Sequence, residues 1–149
     1  WATRTTFGTL GAMPVRRDSA RDAMLTLDMM LERLAEGEAC VVYPEGTRSR
    51  DGRLYRGRTG IAHLAMESKA QVVPVALSGT PDVQPIGTNV PRPHHFGVSF
   101  GEPLDFSTGY DHLAPGKARR VITDEVMDAI AALSGQERAP GYNDSPEKG

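Results

Sequence analysis

Residues Tyr43-Pro44-Glu45-Gly46-Thr47-Arg48-Ser49 set backbone amides, two hydroxyls and a guanidinium within one short loop, directly after the apolar run Ala39-Cys40-Val41-Val42. Such donors suit an oxyanion, because a guanidinium offers parallel N–H groups and amides and hydroxyls add further hydrogen bonds. Arg50, Arg53, Arg56 and Arg58 follow within ten residues of Arg48. Between residues 44 and 58 the only acids are Glu45 and Asp51, so the loop is locally cationic in a chain of net charge −2. Arg48, Gly46, Thr47 and Ser49 are the candidate contacts, with Gly46 permitting close approach of the backbone. Glu45 would repel an anion and is expected to tie the loop down. The competing reading of the arginine run is a solvated surface.

The elements that must position this loop follow from periodicity and punctuation. A strand over Thr9–Val15 ends at Arg16-Arg17. A helix then starts with Asp18 or Ser19 as N-cap, repeats apolar residues from Ala20 to Leu34 at helical spacing, and stops at Gly37. In it Met24, Met29 and Met30 read as core. Glu38–Tyr43 reads as a buried strand, and Asp51-Gly52 as a turn. A second helix covers about Thr59–Ser68. The strand Gln71–Leu77 follows, demoted to an edge or bulged strand by Pro74. Residues 78–94 are irregular and proline-rich, Phe96–Phe100 is a short strand, and a last helix spans about Pro115–Leu133. The order β-α-β-α-β predicts an α/β fold, a largely parallel sheet covered by helices. Open sheets of this kind hold ligands at the carboxyl ends of their strands. Residues 1–134 form one domain, and the polar stretch 135–149 is expected to be a disordered tail.

Composition narrows the classes. With 149 residues, 39% hydrophobic and 24% charged, the chain can bury a core. No apolar run reaches the length of about 18 residues that suggests a membrane span, and no signal peptide is evident. Cys40 is the single cysteine; it excludes an internal disulfide and reads as core packing. His94 and His95 lack a second ligand cluster, so no metal is expected. The charge balance gives no reason to expect nucleic-acid binding. The loop also lacks the Gly-x-x-x-x-Gly-Lys-Ser/Thr pattern of a phosphoryl-transfer enzyme.

Three segments in order resemble the glycerolipid acyltransferase family, and specifically 1-acylglycerol-3-phosphate acyltransferases. They are Gly11-Ala12-Met13-Pro14-Val15-Arg16-Arg17, the Tyr43–Ser49 block, and Val73-Pro74-Val75-Ala76-Leu77. Tyr55–Gly60 is similar to the family's segment between the last two. The family's catalytic His-x-x-x-x-Asp pair has no counterpart: the residues five positions after His63, His94, His95 and His112 are Ser68, Ser99, Phe100 and Lys117. Together with a start at Trp1 instead of methionine, this departure leads to the expectation of an N-terminally truncated fragment, inactive alone, with no catalytic residue of its own.

The resemblance implies acyl transfer from acyl-CoA or an acyl carrier protein, as co-substrate and without a cofactor, to the free hydroxyl of lysophosphatidate, giving phosphatidate in phospholipid biosynthesis. It implies that Arg48, with Arg17 second, seats the acceptor's phosphate beside Glu45, Gly46, Thr47 and Ser49. Arg17 has Asp18 and Asp22 as alternative partners, and Arg50, Arg53, Arg56 and Arg58 are candidates to face anionic headgroups or the phosphates of coenzyme A. It also implies peripheral contact at the cytoplasmic face of the cell membrane. The alternative is a non-catalytic module that binds lipid phosphate or a membrane surface.

Overall fold

The structure, a computed structural model, describes residues 19–85, 87–88 and 90–143. The expected strand Thr9–Val15 and Arg17 lie outside the described residues. The chain divides into two compact units, Trp1–Cys40 and Val41–Gly149.

The first unit contains helix α1, Ala20–Ala35. Ser19 caps it from an extended backbone, its hydroxyl accepting from the Asp22 amide at 3.1 Å. This satisfies an amide that has no intrahelical partner. At the other end Gly37 adopts φ +84°. Its amide donates to the Leu34 carbonyl, and Glu38 donates to Arg33, closing the helix with a Schellman turn. Met30 is buried, whereas Met24 and Met29 are 48% and 46% exposed, so of the expected methionine core only Met30 is enclosed. Cys40 is half-buried, with its thiol 3.9 Å from the Met30 carbonyl.

The second unit is built on two helices. Helix α2, Gly60–Ser68, buries Ala62, Leu64 and Ala65. Strand β1, Val75–Ser78, leads into the single-turn helix α3, Thr80–Val83, and strand β2 is Gly97–Phe100. Helix α4, Pro115–Ser134, has proline in its first turn, where the missing N–H costs nothing, and ends at Gly135 with φ +64°. Ala62 and Ala65 from α2, Ile122 and Val126 from α4, and Phe106 form the core cluster, and Val72, Leu104 and Ile130 pack against it. Each large side chain enclosed here contributes about 1.5–3 kcal/mol.

The described sheet does not bear out the expected largely parallel topology. Among the described residues it has two strands, and β1 and β2 pair antiparallel with Val75 opposite Phe100 and Ser78 opposite Gly97. Val72 and Leu104 form a further antiparallel bridge. Gly101, Glu102 and Pro103 therefore stand opposite Val73 and Pro74, one residue more on the β2 side. Pro74 cannot donate, and its carbonyl accepts from Gly101 at 2.9 Å, so the ladder bulges where the proline sits. β1 lies against α4 and buries Ala76. Leu77, Val98 and Phe100 remain exposed.

Residues 136–143, expected as the start of a disordered tail, return to the domain. Leu54 and Arg138 form a parallel bridge, with Leu54 donating to Glu137 and Ala139 donating to Leu54, both at 2.9 Å. Arg56 donates to the Gly141 carbonyl at 2.8 Å. Arg138 pairs with Asp128 of α4 at 2.8 Å, and Ala139 is buried. The strap thus holds one side of the arginine loop. Its other anchor is Gly57, where a Cβ would meet Met127 and Thr123 of α4 at 2.8–2.9 Å, and whose carbonyl accepts from Arg120 at 2.8 Å.

Two outcomes are expected. Gly57→Ala forces the loop off α4 and lowers stability by about 1–3 kcal/mol, measured by urea denaturation. Truncation after Gly135 leaves Leu54 and Arg56 amides without acceptors, so hydrogen exchange at both accelerates while exchange in the α2–α4 core changes less.

Candidate functional site

The approach to the loop differs from the expected buried strand. Residues 38–43 form no strand, and Val41 and Tyr43 are 84% and 70% exposed. Among the described residues no second strand pairs with this segment, and a β-strand without a partner has neither ladder bonds nor a covered face.

The loop itself is tightly tied. The Gly46 amide donates to the Tyr43 carbonyl at 3.0 Å, closing a turn, and Gly46 takes φ +76°. Its need for glycine comes from that backbone conformation. The Arg58 amide donates to Pro44 at 2.8 Å and draws the two ends of the loop together. Glu45 accepts from the Tyr55 amide at 2.8 Å, so this carboxylate staples the loop from within. Burial pushes the Glu45 carboxyl above its ordinary 4.5, against the lowering effect of the Tyr55 amide and the Arg138 charge.

The arginines fall into distinct electrostatic settings. Asp51 accepts from Arg53 Nε at 2.7 Å, from the Arg53 amide at 3.1 Å, from the Tyr55 hydroxyl at 2.8 Å and from Ser49 at 3.1 Å. Those bonds, Arg53 first, hold Asp51 well below the usual carboxylate range. Arg53 is thereby neutralised, and Ser49, expected to meet a ligand, is engaged with Asp51. Arg56 and Arg58 lie over the Tyr142 ring, 5.3 and 5.2 Å from its centroid. Arg120 pairs with Asp124 at 2.6 Å and donates to the Tyr142 hydroxyl at 3.3 Å. Arg50 is exposed.

Arg48 stands apart from these pairs. Its side chain is exposed and donates through Nη1 to Gln84 Oε1 at 3.2 Å. Its own carbonyl accepts from Asn143 at 3.0 Å. Thr47, half-buried beside it, has no hydrogen-bond partner for its hydroxyl among the described residues. The structure therefore brings Glu45, Gly46, Thr47, Arg48 and Ser49 together on one loop, while Arg17 lies outside the described residues. Gln84, Tyr142 and Asn143 also contribute, and no sequence pattern marks them. The positive charge of Arg48, a neutral amide partner and an adjacent hydroxyl make a cationic seat open to solvent, suited to a phosphomonoester.

Glu45 allows a test of the loop's scaffolding. Its raised folded pKa means that its contribution to stability is full below its ordinary 4.5 and is lost as pH rises through the raised value. Glu45→Gln keeps an acceptor for the Tyr55 amide and removes the charge, so at pH 7 it matches or exceeds the parent in stability and flattens the pH dependence. Glu45→Ala leaves that amide unsatisfied and costs about 1 kcal/mol or more. Urea denaturation at pH 4.5 and 7 separates the two variants.

Comparison with known proteins agrees with the sequence resemblance. A family model described as Acyltransferase matches residues 1–78. A chloroplastic 1-acyl-sn-glycerol-3-phosphate acyltransferase of Arabidopsis thaliana is 35% identical over 79 residues, 53% of this chain and 22% of that protein. A 1-acyl-sn-glycerol-3-phosphate acyltransferase of Limnanthes douglasii is 42% identical over 65 residues, 44% of this chain and 23% of that protein. An uncharacterised acyltransferase of Schizosaccharomyces pombe is 32% identical over 116 residues, 74% of this chain and 17% of that protein. The chain thus spans less than a quarter of the length of each of these relatives. No solved structure matches it significantly. A family match over more than half of the chain, which takes in the arginine loop and the strand that follows, leads to one conclusion: the chain belongs to the Acyltransferase family of glycerolipid acyltransferases.

Proposed function

We propose that this chain is the phosphate-binding part of an acyltransferase that moves an acyl group from acyl-CoA or an acyl carrier protein to the free hydroxyl of lysophosphatidate, giving phosphatidate. The observation that carries the reading is Arg48: a guanidinium on the family's own loop, exposed and held by a neutral amide. The relatives named as 1-acyl-sn-glycerol-3-phosphate acyltransferases support the choice of acceptor.

The reaction forms an ester C–O bond and breaks a thioester C–S bond. The acceptor hydroxyl gives its proton to a base, and the thiolate that leaves takes one up. None of the four histidines in these 149 residues has an aspartate five positions on, so the base belongs to residues outside them and the segment alone is inactive. What this chain supplies is position. A phosphate fixed at Arg48, with Thr47 as a further donor, brings the hydroxyl to one place, and such orientation lowers a bimolecular barrier by about 7–11 kcal/mol at most. No group within the loop takes part in bond making.

The same reading places the protein at the cytoplasmic face of a membrane by peripheral contact, in keeping with a lipid acceptor and a basic loop. No helix among the described residues is long and apolar enough to cross a membrane. It also takes the family's largely parallel sheet as a feature of the complete protein, beyond the two antiparallel strands among the described residues. A second reading, a non-catalytic module that binds lipid phosphate, is favoured by the missing His-x-x-x-x-Asp pair.

Steady-state kinetics of the complete enzyme distinguish these readings. Arg48→Ala is expected to raise KM for lysophosphatidate roughly tenfold or more, the loss of a charged hydrogen bond, while KM for the acyl donor stays near the parent value. Equal losses toward both substrates would count against Arg48 as the phosphate seat. Binding of lysophosphatidate without thiol release, by the complete protein, would favour the non-catalytic module.

A further inference from the structure

We propose that Gln84 is the positioning residue for Arg48: it fixes the guanidinium at the phosphate seat without cancelling its charge, and so sets the selectivity of the site for a phosphorylated acceptor. The inference rests on the phosphate-seat reading of Arg48 and extends it to a residue in the segment after β1.

Gln84 directly follows the short helix α3, thirty-six residues from Arg48 in the chain. The segment around it is closed by its own bonds: Gln84 donates its amide to the Thr80 carbonyl at 3.1 Å, and Arg92 donates its amide to Val83 at 2.7 Å. The side chain has a determined orientation. Its Nε2 donates to the Thr88 carbonyl at 3.2 Å. A carbonyl can only accept, so the NH₂ must face Thr88 and the oxygen must face Arg48. Nη1 of Arg48 meets that oxygen at 3.2 Å. One N–H of the guanidinium is thereby spent on orientation, and the other four of its five donors remain available to a ligand.

Elsewhere in the described structure, arginine side chains held by hydrogen-bonded partners of this kind meet carboxylates. Arg33 pairs with Glu36 and Glu38, Arg53 with Asp51, Arg120 with Asp124, and Arg138 with Asp128. A carboxylate orients a guanidinium well and also neutralises it, competing with any anionic ligand for the same N–H groups. An amide oxygen supplies the orientation alone. Gln84 therefore leaves a full positive charge aimed into solvent at the loop proposed as the phosphate seat. Its conservative counterpart, glutamate, would keep the shape and abolish the charge.

This difference makes the test. In the complete enzyme, Gln84→Glu, Gln84→Ala and Arg48→Ala are compared with the parent for KM and kcat, with lysophosphatidate as acceptor, and for inhibition by glycerol 3-phosphate. Gln84→Ala frees the guanidinium without discharging it and is expected to raise acceptor KM about two- to fivefold. Gln84→Glu is expected to raise it tenfold or more and to weaken glycerol 3-phosphate inhibition in parallel. In both, kcat and KM for the acyl donor stay near the parent values. A structural role alone would make the two variants alike and would lower kcat or the thermal midpoint with KM. Arg48→Ala that raises acceptor KM while Gln84→Glu leaves it unchanged overturns this inference and spares the phosphate seat. Arg48→Ala with unchanged acceptor KM overturns both.

Discussion

The structure depends on keeping several guanidinium groups close together on one loop while leaving Arg48 without a carboxylate partner among the described residues. Like charges at such spacing repel, and the loop resolves this in three ways. Asp51 neutralises Arg53 and is itself held ionised by Arg53, Tyr55 and Ser49. Tyr142 offers its ring to Arg56 and Arg58, an attraction worth about 0.5–1 kcal/mol each at exposed sites. Arg48 is given only a neutral amide. Arg53 is thus paired with a carboxylate, and Arg48 keeps its charge open to solvent. Glu45 contributes in the opposite sense to its charge, since it serves as an acceptor for the Tyr55 amide and shapes the turn that presents Arg48.

This distribution of charge explains why the segment after α4 belongs to the working part of the domain. Residues 136–143 look polar and dispensable in composition, yet they supply carbonyls to Leu54 and Arg56, the ring beneath Arg56 and Arg58, and the Asn143 amide on the Arg48 carbonyl. The loop has few side chains to bury, so its order comes from hydrogen bonds to a neighbouring strand-like segment and from Gly57 seated on α4.

What the sequence reveals follows the range of the forces involved. The helices are legible because their period and their stops are local: Ser19 and Gly37 bound α1, and Gly135 ends α4. The break in the ladder at Pro74 is legible because a missing N–H is a local fact, whereas the extra residue opposite it lies on the partner strand. The expected strand at 38–43 is absent because a strand needs a partner, and an apolar run cannot specify one. The antiparallel pairing of β1 with β2 likewise replaces the expected parallel arrangement among the described residues. Met24 and Met29 fit the helical period of a buried face, yet periodicity does not say how much of that face is covered. At the site, the residue types of the 45–49 loop point to an anion, which the proposed function takes as the acceptor's phosphate. The contact between Arg48 and Gln84, and the one between Leu54 and Arg138, join positions far apart in the chain. No spacing rule reaches that far, and Gln84 carries no motif.

The most direct measurement is a structure of the complete enzyme with lysophosphatidate bound. Under the proposed function the phosphate sits within hydrogen-bond distance of Arg48, with Gln84 still bonded to the guanidinium and the acceptor hydroxyl turned away from the loop. A phosphate seated on other residues, with Arg48 extended into bulk water, would contradict it.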